Sequence, residues 1–294
     1  MNDQFSWQPE ANSGIQMQWV EANGQTFEVA MAGEGKKLAL CLHGFPELHY
    51  SWRFQMPLLA EMGYRVWAPN MRGYGGTSKP DGIASYSLNN LTQDVAALID
   101  ASGAEEVTLL AHDWGAIVAW AFAIRKIRPL KRLIIMNVPH PEVGRREIRH
   151  WRQLKRSWYI FFFQIPRLPE WLLSRNNGEP IKNAFAKMAV DQSNFTDEAL
   201  DHYAKAATRS GSINAMINYY RALLRHEFDI GDGKVDIPTL MIWGEEDTAL
   251  NIKCTEGTEE WVADFTLRRL ANVSHWVQQE APEQVNAILR EWLA

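Results

Sequence analysis

The chain has 294 residues, of which 46% are hydrophobic and 22% are charged, and its formal net charge is −5. This is the composition of a folded globular protein, and the length suits one large α/β domain or a core with a lid. Because there is no basic excess, nucleic acid is not expected as a partner. Thirteen tryptophans are many for this length, and the sequence assigns most of them no role beyond packing.

The cysteines and the apolar stretches indicate the compartment. Cys41 and Cys254 each lie beside an apparent strand without a cysteine at ligand spacing, so two free thiols are expected, with neither a disulfide nor a zinc site. The N-terminal stretch MNDQFSWQPEANSG lacks the basic and apolar regions of a secretory signal. The longest uncharged apolar stretch, residues 116–124, is too short to span a bilayer. We therefore expect a soluble, cytoplasmic protein.

Short apolar runs alternate with helix-like patterns, a rhythm that predicts βαβ units and a mostly parallel sheet. An opening hairpin is predicted at Asn23-Gly24, where two alternating segments flank a strong turn signal. Buried strands are predicted at 38–42, 64–68, 107–111, 133–136, 239–243 and 266–270. Helices are predicted at 88–102, closed by Gly103, at 115–126, and from Pro282, a residue suited to a first helical turn.

Between residues 139 and 233 the rhythm changes to helical stretches rich in arginine and aromatic side chains. We interpret residues 139–233 as an α-helical lid (cap) inserted in the core, which then comprises residues 1–138 and 234–294. The predicted class is therefore α/β: a twisted, mostly parallel sheet flanked by helices, with an inserted lid.

The most informative motif, Ala111-His112-Asp113-Trp114-Gly115, follows a predicted strand and opens a helix. Small residues around a central nucleophile make the strained strand-to-helix turn that exposes the nucleophile at the carboxyl edge of a sheet. The central residue is Asp113, whose carboxylate can attack an electrophilic carbon and form an ester. Attack on a peptide or an ester would give an anhydride, so the motif favours epoxides and alkyl halides as substrates.

A second loop, His43-Gly44-Phe45-Pro46, also follows a predicted strand. Gly44 allows a sharp turn toward the nucleophile, and backbone N–H groups in such a loop can stabilise developing negative charge. A cis Phe45–Pro46 bond is expected, because cis peptide bonds are largely confined to X–Pro. His43 is interpreted as a residue that fixes the loop by hydrogen bonding.

The remaining loop motifs give no sign of a cofactor. The glycines at positions 73, 75 and 76 do not have the G-x-G-x-x-G spacing of a dinucleotide site, so residues 72–77 are interpreted as a tight structural loop. The eight histidines show no metal-ligand spacing. Neither a cofactor nor a metal is predicted.

Asp247 and His275 follow the last two predicted strands and complete the order nucleophile, acid, histidine that is typical of α/β-hydrolases. His275 would activate the water that cleaves the ester, while Asp247 would orient the imidazole and stabilise its cation. Glu245 and Glu246 are rival candidates for the acid.

Together these motifs resemble the epoxide hydrolases of the α/β-hydrolase fold over nearly the whole chain. The resemblance rests on HGFP (43–46), RGYGGT (72–77), HDWG (112–115), WGEED (243–247) and the SHW around His275. Ala111 replaces the usual glycine and still meets the need for a small residue. Asn70 replaces a frequent acid and Thr77 the usual serine, which raises the question of how residues 72–77 are braced.

The resemblance implies two lid tyrosines that hydrogen-bond the epoxide oxygen and protonate it. Tyr159 lies before the Phe-Gln-x-Pro element at 163–166, and Tyr220 precedes an arginine, with Tyr219 as the alternative. Main-chain N–H groups of Phe45 and Trp114 would stabilise the oxyanion. The implied activity converts a small apolar epoxide to a vicinal diol through an aspartyl ester, without metal or cofactor, and suits detoxification.

Three other functions are compatible with part of this pattern. A haloalkane dehalogenase shares the nucleophile but needs halide-binding N–H donors, which would be Trp114 and one of the lid tryptophans Trp151, Trp158 or Trp171, because Phe45 stands where some of these enzymes carry asparagine. A fluoroacetate dehalogenase is disfavoured, since its nucleophile is typically followed by arginine. A non-catalytic ligand receptor is disfavoured because all three members of the triad are present.

A basic run at residues 145–156 opens the lid. Ile148 and Trp151 are expected to form an apolar stripe beneath a cationic face. We interpret the run as a solvated helix face, with a membrane-surface site as the alternative. The sequence leaves open the oligomeric state, monomer or homodimer, and the natural substrate.

Overall fold

The structure is a computed structural model that describes residues 5–294. It contains an eight-stranded sheet in the order β1-β2-β4-β3-β5-β6-β7-β8. The strands are β1 Ile15–Ala22, β2 Gln25–Ala32, β3 Lys37–Leu42, β4 Arg65–Pro69, β5 Glu106–His112, β6 Arg132–Met136, β7 Thr239–Gly244 and β8 Phe265–Leu270. β1 and β2 form the predicted hairpin and are antiparallel, as is the pairing of β2 with β4, whereas all later pairings are parallel.

Helices flank the sheet and fill the connections between its strands. They are α1 Gln55–Glu61, α2 Leu88–Ser102, α3 Asp113–Ile124, α4 Pro141–Glu147, α5 Trp151–Arg156, α6 Trp158–Phe162, α7 Leu168–Ser174, α8 Glu179–Met188, α9 Asp197–Ala207, α10 Ser212–Arg225, α11 Val277–Glu280 and α12 Pro282–Leu293. α2 has the predicted bounds and ends at Gly103, which takes the left-handed conformation with φ 61°. α1 and α11, of 7 and 4 residues, were not predicted because such short helices show no 3.6-residue period.

Hydrophobic patterning explains why the sheet lies at the centre of the molecule. β3, β5 and β7 are almost continuously apolar and buried, as parallel strands covered by helices on both faces must be. Each predicted buried strand is present, with ends within a residue of the expected ones. Cys41 and Cys254 are buried free thiols, and the Phe45–Pro46 bond is cis.

The lid segment consists of helices joined by turns and loops. α4 to α10 all lie between β6 and β7, the stretch in which we predict the lid. The limits 139 and 233 stay a prediction. Because the chain leaves the sheet at the carboxyl end of β6, these helices stand over the edge at which the other parallel strands also end.

Candidate active site

Asp113 lies at the sharp junction between β5 and α3, where its backbone has a φ of 45°. This left-handed conformation is costly for a residue other than glycine and persists only where the surroundings impose it. Here the imposition comes from close packing: a Cβ at Gly115 would lie 2.4 Å from the Leu42 carbonyl oxygen. The strained turn holds the Asp113 carboxylate at the carboxyl edge of the sheet.

The loop after β3 approaches the same carboxylate from the side. A Cβ at Gly44 would lie 2.2 Å from the Asp113 Cβ, so only glycine allows the approach. The Phe45 N–H then donates to Asp113 Oδ1 at 2.6 Å. Trp114 lies in the first turn of α3, where backbone N–H groups have no intrahelical acceptor. The Phe45 N–H thus lies at Asp113, and the predicted oxyanion role of the Phe45 and Trp114 N–H groups stays a prediction.

His275 lies between two carboxylates. Its Nδ1–H donates to Asp247 Oδ2 at 2.7 Å, and its Nε2 is 3.5 Å from Asp113 Oδ2. Burial alone would lower the pKa of His275, but the charge of Asp247 and the hydrogen bonds to both aspartates raise it to about 10. Burial would likewise raise the pKa of both aspartates, yet His275 holds each below its ordinary value. The three groups form one coupled unit.

Asp247 is the acid that reaches His275, because Glu245 and Glu246 point to solvent. Its Oδ1 accepts the backbone N–H groups of Ala249 at 2.7 Å and Leu250 at 2.8 Å. These contacts leave Oδ2 directed at the imidazole.

Asn137 is a member of this site that sequence reasoning missed. Directly after β6, its Nδ2 donates to Asp247 Oδ2 at 2.7 Å and its Oδ1 accepts the Gly244 N–H at 3.0 Å. The available signal was its position, since it is a polar residue at the carboxyl end of a parallel strand. It orients Asp247 for His275.

A buried pair, Glu47 and His112, lies behind the site and supports it. Sequence reasoning missed this pair as well. His112 Nδ1 is 2.7 Å from Glu47 Oε2, and its Nε2 is 2.9 Å from the His275 carbonyl oxygen. Glu47 also accepts the Gly44 N–H at 2.9 Å and the side-chain amides of Gln278 and Gln279 at 2.8 and 2.9 Å. Glu47 and His112 thereby tie together the loops that carry Phe45, Asp113 and His275.

Tyr159 on α6 and Tyr220 on α10 face each other close to Asp113. Their ring centroids are 5.8 Å apart, and the Tyr220 ring is 5.0 Å from Trp114 and 5.4 Å from Phe45. Burial, followed by the negative charge of Asp113, raises the pKa of both tyrosines well above the ordinary value. Both hydroxyls therefore remain protonated at neutral pH and can donate.

The motifs beside these tyrosines hold the two helices together. Gln164 Nε2 donates to the carbonyls of Ile160 at 3.0 Å and Tyr220 at 3.1 Å. Arg221 donates to the carbonyls of Phe163 at 3.0 Å and Ile165 at 2.9 Å. The Phe-Gln-x-Pro element and the Tyr-Arg pair are thus two halves of one contact.

The neighbouring Tyr219 has a different role. Its hydroxyl donates to the Arg72 carbonyl oxygen at 2.7 Å, and its ring packs against Tyr74 and Tyr86 in the core. Tyr219 thus anchors α10 to the loop at 72–77, and Tyr220 is the tyrosine that faces Asp113.

Glu28 braces the loop at residues 72–77. It accepts the Asn70 side-chain amide at 2.7 Å and the Gly76 N–H at 2.6 Å. Burial would raise the pKa of Glu28, but the hydrogen bond and charge of His49, together with backbone donors, lower it to about 2. His43 accepts the Met71 N–H at 2.9 Å, in agreement with a loop-fixing role.

The prediction that Ile148 and Trp151 form an apolar stripe beneath a cationic face is wrong for Trp151. Ile148 is half-buried, but Trp151 is 69% exposed, and the other two lid tryptophans, Trp158 and Trp171, are 61% and 57% exposed. The helices here bury Gln153 and Ser157 against the protein, so the helix face that carries Trp151 and Trp158 is turned to solvent.

Comparison with known proteins adds independent information. The α/β hydrolase fold family model matches residues 40–282. The AB hydrolase superfamily protein YfhM of Bacillus subtilis is 37% identical over 282 residues, which are 95% of this chain and 98% of that protein. Epoxide hydrolase 4 of Mus musculus is 37% identical over 286 residues, covering 93% of this chain and 78% of its own. The crystal structure of Bacillus megaterium epoxide hydrolase in complex with an inhibitor has a TM-score of 0.84 at 31% identity, with coverage of 94% and 99%.

Proposed function

Because the chain belongs to the epoxide hydrolases of the α/β-hydrolase fold, we propose that it converts an epoxide to a vicinal diol through an ester on Asp113. One observation carries the proposal: the Asp113 carboxylate, with His275 3.5 Å away, faces the half-buried Tyr159 and the buried Tyr220, which both retain their protons. This arrangement supplies a nucleophile on one side of a substrate and acids on the other.

In the first step, an oxygen of Asp113 attacks an epoxide carbon from the side opposite the ring oxygen. The C–O bond of the ring breaks, and its electron pair goes to the oxygen, which takes a proton from Tyr159 or Tyr220. The rings of Phe45, Trp114 and Phe163 pack around Tyr220, so a hydrogen bond from its hydroxyl to the oxygen strengthens as negative charge develops there.

The tyrosinate left by the first step takes its proton back from the His275 cation, which leaves the imidazole neutral. In the second step, water attacks the ester carbonyl of Asp113 and gives a proton to His275. Ester formation removes the charge of Asp113, which is one of the causes that raise the pKa of His275. The pKa of the imidazole therefore falls when a base is needed. Phe45 and Trp114 N–H groups would stabilise the tetrahedral oxyanion. Its collapse breaks the bond between the ester carbon and the alkoxide oxygen, which takes the carboxyl proton, so that the diol leaves and the Asp113 carboxylate is restored.

The haloalkane dehalogenase alternative lacks support in the lid. A halide site would need a second N–H donor in addition to Trp114, supplied by a lid tryptophan that points at Asp113. Trp151, Trp158 and Trp171 are all exposed on the outside of the lid. Tyr159 and Tyr220 occupy the position opposite the nucleophile and suit an oxygen leaving group. The contents of the site thus favour epoxides over alkyl halides.

Trapping the ester tests the proposal directly. A His275→Gln variant is incubated with an aryl epoxide or a bromoalkane, and the protein is digested and mapped by mass spectrometry. We expect the epoxide to add its full mass to the peptide with Asp113, and an Asp113→Asn control to stay unmodified. If no substrate leaves an ester on Asp113, the mechanism is wrong; if only the bromoalkane does, the protein is a dehalogenase.

A further inference from the structure

The outer surface of the lid carries most of the apolar side chains that the described residues expose. Of twelve exposed large hydrophobic residues in the described range 5–294, eight lie between positions 151 and 172. Those on α5 and α6 recur every three or four positions, and we name the whole set the outer lid face: Trp151, Leu154, Trp158, Phe161, Ile165, Leu168, Trp171 and Leu172. Such a concentration on a monomer marks an interaction surface.

Helix geometry turns this face away from the protein. α5 and α6 follow each other with only Ser157 between them, so Trp151, Leu154, Trp158 and Phe161 share one side. The opposite side is the one that packs, where the Gln153 amide donates to the Ala249 carbonyl at 2.9 Å. The lid helices are therefore apolar toward the site and apolar toward solvent.

Basic residues alternate along the sequence with those of the outer lid face. Residues 145–175 contain eight arginines and lysines against two acids, although the whole chain has a net charge of −5. Both acids are engaged, Glu147 by Arg146 at 2.8 Å and Glu170 by Arg221 at 2.6 Å. Among the basic residues, Arg149, Arg152 and Lys155 are exposed and form no ion pair with any residue in the described range.

We propose that the outer lid face binds the surface of an anionic phospholipid bilayer. Tryptophan at head-group depth, with arginine and lysine beside it, is typical of helices that lie in a membrane interface. The negative potential of an anionic membrane surface attracts lysine and arginine side chains that lie close to it. A second copy of the chain fits less well, because a two-fold contact through this face would bring like charges together.

The contact is peripheral. Across residues 5–294 no helix combines the length and the apolar character needed to cross a bilayer. α6 carries Tyr159 on its inner side and Trp158 and Phe161 on its outer side. A docked bilayer would thus lie about one helix diameter, ~10 Å, from the catalytic tyrosine. This consequence rests on the proposed function, whereas the docking itself does not.

Vesicle sedimentation tests the docking. The native protein is mixed with vesicles of phosphatidylcholine containing roughly one-third phosphatidylglycerol, or with phosphatidylcholine alone. We expect binding to the anionic vesicles only, and its loss in about 1 M salt, where the Debye length is about 3 Å. Absence of binding, or equal binding to both kinds of vesicle, overturns the proposal. Binding to soluble polyglutamate without vesicle binding would assign the face to an acidic protein instead and also overturns it.

Matched variants identify the surface. Arg152→Gln with Lys155→Gln should weaken vesicle binding about tenfold or more. Lys37→Gln with Lys131→Gln, also exposed but at the opposite edge of the sheet, should not. Trp151→Ser with Phe161→Ser should weaken binding as well, against Val190→Ser with Leu224→Ser as the apolar control. Circular dichroism and epoxide turnover verify folding; equal effects of test and control pairs overturn the proposal.

Discussion

At the scale of single residues, the site depends on how Asp113 and Asp247 share one imidazole. Each carboxylate alone would be unfavourable in this buried position, and each is stabilised by the positive charge of His275. In the proposed mechanism, the same coupling gives the histidine two protonation states with different tasks: a cation that stabilises the Asp113 carboxylate, and a base once that carboxylate is esterified.

This coupling predicts the effect of Asp113→Asn on the pKa of His275. The substitution removes one of the causes that raise this pKa, so we expect it to fall below the value of about 10 in the native protein. Titration of the His275 ring proton by NMR measures it. Glu246→Gln, a change at an exposed carboxylate one residue from Asp247, should leave the pKa unchanged. An unaltered pKa in Asp113→Asn would contradict the coupling.

The lid tyrosines give a second prediction at this scale. Tyr159→Phe with Tyr220→Phe should lower kcat/KM for epoxide opening about 100-fold or more, because both proton donors are lost. Tyr219→Phe removes a hydroxyl bound to the Arg72 carbonyl and should change kcat/KM little, which makes it the matched control. Undiminished epoxide opening in the double variant would show that the assignment of the tyrosines is wrong.

At the scale of elements, Arg221 joins α10 to the turn after α6 and to the start of α7. It donates to two carbonyls of the turn and forms an ion pair with Glu170 at 2.6 Å. The contact fixes the distance between the helices of Tyr159 and Tyr220. One buried guanidinium thus links the packing of the lid helices to the positions of the two tyrosines.

Replacement of this guanidinium should loosen the lid. Arg221→Leu leaves two carbonyls and Glu170 without their donor, and we expect a loss of about 2 to 4 kcal/mol of local stability. Hydrogen exchange of the α6 amides should become faster, and kcat should fall. Arg225→Leu, on the same helix but exposed, is the control. Unchanged exchange at α6 in the Arg221 variant would argue against the clamp.

At the scale of the whole molecule, the carboxyl edge of the parallel sheet brings distant loops to one place. β3, β5, β6 and β7 each deliver one loop: that of Phe45, that of Asp113, that of Asn137 and that of Asp247. Ionisable groups that are far apart in sequence therefore interact only in the folded protein, and their interaction contributes to its stability. Stability should then depend on pH through His275.

The sign of this dependence follows from the raised pKa of His275. Its contribution to stability is fully present below the unfolded value of 6.5 and is lost as the pH rises through about 10. Between these pH values, loss of the His275 proton lowers the free energy of unfolding by at most about 1.4 kcal/mol for each unit by which the pH rises. Urea unfolding at several pH values measures the slope. His275→Gln should have a shallower slope, and an equal slope in both proteins would refute this origin.

Local patterning was enough to predict much of this protein. Apolar runs and turn residues predicted the parallel sheet, the hairpin and the bounds of α2, because burial on a strand or helix leaves a periodic trace in the sequence. The Asp113 motif, the cis Phe45–Pro46 bond and the free thiols were also readable, since each depends on neighbours along the chain.

Only the tertiary structure decided which side chains meet across the molecule. Asn137 lies 110 positions from Asp247, and Glu47 lies 65 positions from His112, so no local period could connect them. The prediction of a covered apolar side on α5 was wrong for a related reason. An amphipathic pattern identifies an apolar face, but what covers that face is set by the packing of other elements, and here Trp151 faces solvent.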